Sequence, residues 1–158
     1  MKISSILLGV TVLSVYFGTV IINTQNSKKE QRILDNYHSE AKNIAGIFNR
    51  AQMSYHLENK TFAESFTDLD IVVEFQNYEI VDINVSNNQE ENFAQIIILP
   101  KDPESELKGY AGGVSYRSDL ETGLGFQIVT CESLEINGEI EVDQTTMSCS
   151  KGVEVEQK

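Results

Sequence analysis

At 158 residues, the chain has room for one domain and one membrane anchor. It carries 12 Lys and Arg residues against 24 Asp and Glu residues, a net charge of −12, split as +3 over residues 1–60 and −15 over residues 61–158. A surface this acidic repels nucleic acid and anionic lipid, so we exclude nucleic-acid binding and adsorption to a membrane surface. The acidity favours solubility, and it could also recruit Ca²⁺ or a basic partner.

Residues 3–22 (ISSILLGVTVLSVYFGTVII) form a run of twenty residues without a charge. As a helix rising about 1.5 Å per residue, this run would span the roughly 30 Å of a bilayer core. The alternative is a cleaved secretory signal, since Lys2 precedes the run. However, the run is longer than the usual apolar core of a signal, and no small-x-small cleavage site precedes Asn23. We therefore expect a retained anchor that contacts the lipid bilayer through residues 3–22.

Apolar residues then recur in steps of three and four, which places them on one helix face. They are Ile33, Tyr37, Ala41, Ile44, Phe48, Ala51 and Tyr55, and we call them the predicted stripe. Polar residues such as Asn49 and Arg50 fall largely off it. No proline interrupts residues 1–99, so one helix could run from Ile3 to about Glu58, with Asn59 as its C-terminal cap. We expect the stripe to pack on a sheet rather than to bind a cofactor.

Patterns typical of β-strands follow residue 60, at residues 78–85, 93–99, 108–116 and 124–131. Gly112-Gly113 suggests a bend within the third. Asn137-Gly138, the preferred type I′ dipeptide, predicts a hairpin over residues 134–142. The predicted fold is α+β: a long N-terminal helix, half transmembrane and half amphipathic, packed on an antiparallel sheet of four or more strands. The predicted domains are an anchor and juxtamembrane segment at residues 1–27 and a head at residues 28–158, with its helix at 28–59 and its β part at 60–158.

Cys131 and Cys149 are the two cysteines of the chain. A close pair in an extracytoplasmic head predicts a disulfide. The alternative, a metal site, would need further ligands nearby, whereas His38 and His56 lie far upstream on the predicted helix.

Motifs that would indicate chemistry are missing from the sequence. It has no glycine-rich phosphate loop, no HExxH helix and no nucleophile elbow. Asp102, Glu104 and Glu106 alternate in a loop and could bind Ca²⁺, although they lack the glycine and the final glutamate of an EF-hand loop. We therefore predict no catalytic residue, no cofactor and no metal site, and we do not expect an enzyme.

Several short motifs resemble cyanobacterial type IV pilin-like proteins of the G and H type. Ser39-Glu40-Ala41-Lys42, Asn49-Arg50-Ala51-Gln52, residues 55–59 (YHLEN) and Phe62-Ala63 are similar to the SEAK, NRAQ, Y-LEN and FA motifs of that family. Pro100-Lys101 and residues 107–114 (LKGYAGGV) are similar to a later family segment. The resemblance covers roughly residues 33–131, and it implies a pilin fold.

The N-terminus departs from the family pattern. Members that enter pili carry a basic leader, a glycine and then a Phe-Thr-Leu-Ile-Glu sequence, where a peptidase cuts. Residues 9–14 (GVTVLS) only approximate this pattern, and either Ser14 or Val10 stands where the family has its glutamate. We therefore expect the chain to stay uncut and to contact the pilus machinery laterally.

The resemblance implies a minor pilin, or a pilus or secretion accessory component, that acts by assembly contacts without catalysis. Its expected partners are other pilin-like subunits or the pilus or secretion machinery. We expect a single pass through the cell inner membrane, with a cytoplasmic N-terminus and an extracytoplasmic head. Lys28, Lys29 and Arg32 oppose this orientation, since they lie on the far side of the anchor from Lys2. The alternative function is a membrane-tethered binding or sensing module whose acidic head captures Ca²⁺ or a basic ligand.

Overall fold

The computed structural model describes residues 4–88, 92–117 and 125–156, and of residues 4–26 it describes the helical backbone alone. Helix α1 spans Ser4–Asn59. The strands are β1 (Tyr78–Asn87), β2 (Asn92–Pro100), β3 (Lys108–Tyr116), β4 (Phe126–Ile136), β5 (Glu141–Asp143), β6 (Ser148–Lys151) and β7 (Val153–Glu154). The chain divides into two compact units, Met1–Asn36 and Tyr37–Lys158. The second unit holds all of the strands.

The predicted anchor, residues 3–22, lies outside the residues whose side chains are described. Among the described residues, no helix combines the length and the apolar character needed to cross a membrane. The last ten residues of the first unit are solvent-exposed apart from the half-buried Leu34. Within them, Gln31 Nε2 donates a hydrogen bond to Asp35 Oδ1 over 3.0 Å, one helical turn away.

Helix α1 ends at Asn59, but Asn59 is not the left-handed cap that the sequence predicts. Lys60, not Asn59, adopts the left-handed conformation, with φ of 64°. Its N–H donates to the His56 carbonyl over 2.8 Å, the hydrogen bond that closes an αL cap. The Asn59 side chain instead donates to the Tyr55 carbonyl over 3.0 Å. Asn59 therefore satisfies a backbone acceptor at the end of the helix without leaving the helical conformation.

Five antiparallel strands form the main sheet, in the order β1-β2-β3-β4-β7. The predicted sheet is confirmed, and residues 78–85, 93–99 and 108–116 correspond to β1, β2 and β3. The predicted fourth strand corresponds to β4 from Phe126, while Leu124 lies outside the described residues. A register shift between Ile80 and Asp82 marks a bulge at Val81 in β1, which is an edge strand of the sheet.

The helix packs closely on one face of the sheet because β3 has no side chain where α1 crosses it. A Cβ atom on Gly112 would lie 3.0 Å from the Ala45 carbonyl oxygen and 3.0 Å from Asn49 Oδ1. The predicted bend at Gly112-Gly113 is wrong, since both residues pair regularly with β4. The core on this face contains Ala41, Ile44, Ala45, Phe48, Ile96, Ile98, Tyr110 and Val114, all buried.

A two-stranded sheet of β5 and β6 covers part of the opposite face. Val142 of β5 and two residues beside the strands, Ile140 and Met147, join a second buried cluster with Ala111, Val129 and Cys131. Alternate residues of β3 therefore face different cores, as the twofold repeat of a strand requires. The second unit has three layers: the C-terminal part of α1, the five-stranded sheet, and the β5–β6 pair.

The predicted hairpin over residues 134–142 is wrong. Strand β5 pairs with β6 rather than with the end of β4, through Val142 opposite Cys149 and Asp143 opposite Ser148. Asn137 does lie in a tight turn, with φ of 52°. However, its side chain donates to the carbonyls of Pro103 and Ser105 over 2.6 and 3.0 Å. Asn137 thus holds the loop between β2 and β3, and the chain then crosses to the outer layer.

Candidate functional site

The predicted disulfide is confirmed: Cys131 of β4 is bonded to Cys149 of β6. Cys131 is fully buried in the second core, whereas Cys149 is half-buried. The bond therefore fastens the β5–β6 layer to the main sheet. No free cysteine occurs in the described part of the chain.

The helix face that packs on the sheet is rotated from the predicted stripe. Ala41, Ile44 and Phe48 are buried as predicted, but Ile33 is 39% exposed, and Tyr37, Ala51 and Tyr55 are only half-buried. The buried face continues instead through Ala45, Asn49, Gln52 and His56. These residues keep helical spacing with Ala41 and Phe48. A periodicity search that allowed buried polar residues would therefore have included them.

Asn49 and Gln52 are fully buried polar residues of α1, and both hold backbone groups beyond the helix. Asn49 Nδ2 donates to the Val129 carbonyl of β4 over 2.9 Å. Gln52 exchanges two hydrogen bonds with the backbone of Ala63, each 2.8 Å long. These bonds fix the helix against the sheet and fix the segment that follows the helix. Sequence reasoning placed Asn49 off the packed face, and that placement is wrong.

We expect Asn49→Ala to lower the free energy of unfolding by about 1–3 kcal/mol, because it removes the buried hydrogen bond from Asn49 Nδ2 to the Val129 carbonyl and leaves unfilled space where the helix packs on the sheet. Asn43→Ala is the matched control, since Asn43 is exposed on the same helix. The control should stay within about 0.5 kcal/mol of the unmodified protein. Urea unfolding of both variants measures the difference, and equal midpoints would contradict the assigned helix rotation.

Tyr110 and Glu132 form the centre of a polar network between β3, β4 and α1. The Tyr110 hydroxyl donates to Glu132 Oε2 over 2.7 Å and lies 3.0 Å from His38 Nδ1. Lys108 Nζ contacts Glu132 Oε1 at 2.6 Å. Burial and the hydrogen bond to Glu132 raise the pKa of Tyr110 above its usual range. Burial would raise the pKa of Glu132, but the hydrogen bonds from Lys108 and Tyr110 hold it below its usual value.

Near neutral pH this network therefore holds a neutral tyrosine and a charged carboxylate. Neither group is poised to exchange a proton at that pH. The geometry is that of a structural clasp between neighbouring strands. It places His38 beside Tyr110, at one end of the second unit's helix.

His56 is only 3% exposed and lies among aromatic rings. Its ring centroid is 4.5 Å from that of Tyr116, 4.7 Å from Phe62 and 5.4 Å from Phe126. Asn92 Nδ2 lies 3.3 Å from its Nε2. Burial, followed by the positive charge of Lys60, lowers the pKa of His56. His56 is thus a neutral packing residue of the folded protein.

We expect stability to fall as the pH drops below about 6.5, the pKa of histidine in an unfolded chain. In that range the unfolded chain binds a proton at His56 and the folded protein does not, so unfolding is favoured. Above about pH 6.5 this contribution is constant. Urea unfolding between pH 5 and 8 should show the slope in the unmodified protein. His56→Phe should remove it, and an unchanged slope in that variant would assign the effect to other groups.

In the acidic loop considered from sequence as a Ca²⁺ site, Asp102 makes local hydrogen bonds. Asp102 Oδ1 accepts the Glu104 N–H over 2.9 Å, and the Asp102 carbonyl accepts from Ser105 Oγ over 2.6 Å. Among the described residues, no group of three or more His, Cys, Asp or Glu side chains could hold a metal ion. His38 and His56 serve the clasp and the aromatic core described above.

A groove of about 870 Å³ lies between the β5–β6 layer and the outer face of β1 and β2. Its floor includes Val81, Ile97 and Leu99, and one wall is the continuous segment 137–145. We call this feature the outer groove. Sequence reasoning missed it because it expected residues 139–142 to pair with the end of β4.

These features define a class of protein: a helix packed on an antiparallel sheet, with a disulfide-fastened outer layer near the C-terminus. Comparison with known families makes the assignment specific, since the model of the type IV pilin-like G and H family matches residues 38–151. The chain therefore belongs to the type IV pilin-like G and H family. No curated protein and no solved structure matches the chain.

Proposed function

We propose that the protein is a non-catalytic, pilin-like subunit that acts through assembly contacts, as a minor pilin or as an accessory component of a pilus or secretion machine. The family match over residues 38–151 carries this proposal. The clasp supports it, because its tyrosine stays neutral and its glutamate stays charged near neutral pH. Partners of this function are other pilin-like subunits.

We further propose that residues 3–22 anchor the chain in the inner membrane, with the head outside the cytoplasm. The uncharged run of twenty residues supports an anchor. The disulfide supports an extracytoplasmic head, because such bonds persist mainly in oxidising compartments.

Two measurements test these proposals in cells. Protease added to intact spheroplasts should remove the second unit from a tagged full-length protein, whereas protection would place that unit in the cytoplasm. Affinity purification after chemical cross-linking should recover pilin-like subunits or pilus-machine components. If none of them is recovered from cells that assemble pili, the proposed assembly role is contradicted.

A further inference from the structure

The β5–β6 layer covers only half of the outer face of the main sheet. Strand β5 contacts β3 and β4, and β6 contacts β4. The outer face of β1 and β2 is only partly covered: Ile97 and Leu99 pack against the second core, and Gln144 Nε2 donates to Gln95 Oε1 of β2 over 3.4 Å. On it, Ile97 and Leu99 are half-buried and Val81 is 47% exposed. The outer groove thus offers apolar surface beside the wall formed by β5.

That wall presents an unused strand edge. Strand β5 pairs with β6 on one side, and among the described residues no strand pairs with its other side. Strand β5 lies over β3, and β2 and β1 follow β3 in the main sheet. The unpaired edge of β5 therefore faces the groove above β2 and β1. Unpaired backbone donors and acceptors beside an apolar floor are a template for an added strand.

Charged and apolar residues alternate along β5 and the two residues that precede it. Glu139, Glu141 and Asp143 occupy one face, while Ile140 and Val142 face the second core. Lys151 contacts Glu139 at 2.9 Å and Glu141 at 3.4 Å, so it offsets part of this charge. The charged lining residues still sum to −2. A strand added beside β5 would find acidic neighbours on its outward face and apolar neighbours on its inward face.

We propose that the outer groove binds an extended segment of a partner protein in which Lys or Arg alternates with apolar residues, and that this segment adds to β5 as a strand. A second copy of this chain does not fit. None of its twelve Lys and Arg residues is two positions from another, so it lacks the alternation. The partner is therefore a different protein. This inference goes beyond the proposed function and does not depend on it.

The test uses the full-length protein in a non-ionic detergent and the peptide VKVKVKV-amide with a fluorescent dye on its N-terminus, with empty micelles as the blank. Fluorescence anisotropy should show saturable binding. The same peptide with every backbone amide N-methylated should not bind, because it cannot pair with β5. Equal binding of the methylated peptide, or no binding of the parent peptide, would overturn the proposal. The protein is unmodified in this comparison, so folding is not at issue.

Two charge-reversal variants test whether the peptide binds beside β5. Glu141→Lys should weaken peptide binding by about tenfold. Glu74→Lys makes the same change in charge at an exposed position outside the groove, and it should leave the affinity nearly unchanged. Equal losses in the two variants would show general attraction to an acidic protein and would contradict binding in the groove. Failure here would leave the pilus-related function untouched, since that function is tested by protease access and cross-linking.

Discussion

Phe48→Ala is expected to lower the free energy of unfolding by about 3–5 kcal/mol, the largest effect of any single substitution that we predict. Phe48 is fully buried in the core between α1 and the sheet, and its ring centroid lies 5.8 Å from that of Phe66. Alanine would leave a cavity at the middle of that core, because the sheet and the helix backbone around it are held by hydrogen bonds and cannot collapse freely.

Ile47→Ala is the matched control for this experiment. Ile47 precedes Phe48 on the helix but is 39% exposed, so its truncation should change stability by no more than about 0.5 kcal/mol. Urea unfolding of the full-length protein in non-ionic detergent, followed by circular dichroism, measures both. Similar shifts for the two variants would mean that the packed face of α1 is assigned wrongly.

Removal of the Cys131–Cys149 bond is the second large effect. In the chain-entropy model, a disulfide closing a loop of 18 residues stabilises by about 3 kcal/mol. The double variant Cys131→Ala/Cys149→Ala should lose about this amount without leaving an unpaired thiol in the second core. Unfolding of the double variant and of the oxidised protein gives the difference directly, and coincident transitions would contradict it.

The loss should also be local. Because the bond joins β6 to β4, hydrogen exchange should accelerate most in β5 and β6 when the bond is removed, while α1 beyond Tyr37 changes least. Alkylation of the unmodified protein, followed by mass measurement, should find no free thiol. Two alkylated cysteines would show that the bond does not form.

The sequence predicts the elements of this fold well because their periods differ. The spacing of Ala41, Ile44 and Phe48 is helical, and alternation or β-branched runs mark β1 and β2. Each pattern reports a local preference that burial then reinforces. The disulfide can also be predicted from sequence, since two cysteines allow one pairing. Local patterns do not show which surfaces of the helix and strands pack against one another.

Two errors illustrate this limit. The predicted stripe contains apolar residues alone. Asn49 and Gln52 are nevertheless buried, because their side chains hydrogen-bond to backbone groups that are distant in sequence. These groups belong to Val129 and Ala63. Asn137 lies in a turn closed by the Gly138 N–H on the Glu135 carbonyl, but Gly138 lacks the positive φ of a type I′ turn, and β5 pairs with β6. There Ile140 and Val142 bury their side chains against the sheet, and Cys149 bonds to β4. Long-range packing decided both outcomes.

The bulge at Val81 has a consequence for how copies of this protein behave when they are crowded together. A regular edge strand invites pairing with the same strand of a neighbour, which would fuse two sheets into one and drive aggregation. In β1 the bulge interrupts the regular ladder, and the exposed carboxylates of Glu79 and Asp82 would repel their counterparts on an approaching copy. Concentrated subunits should therefore remain separate along this edge, so that ordered association is left to other surfaces of the molecule.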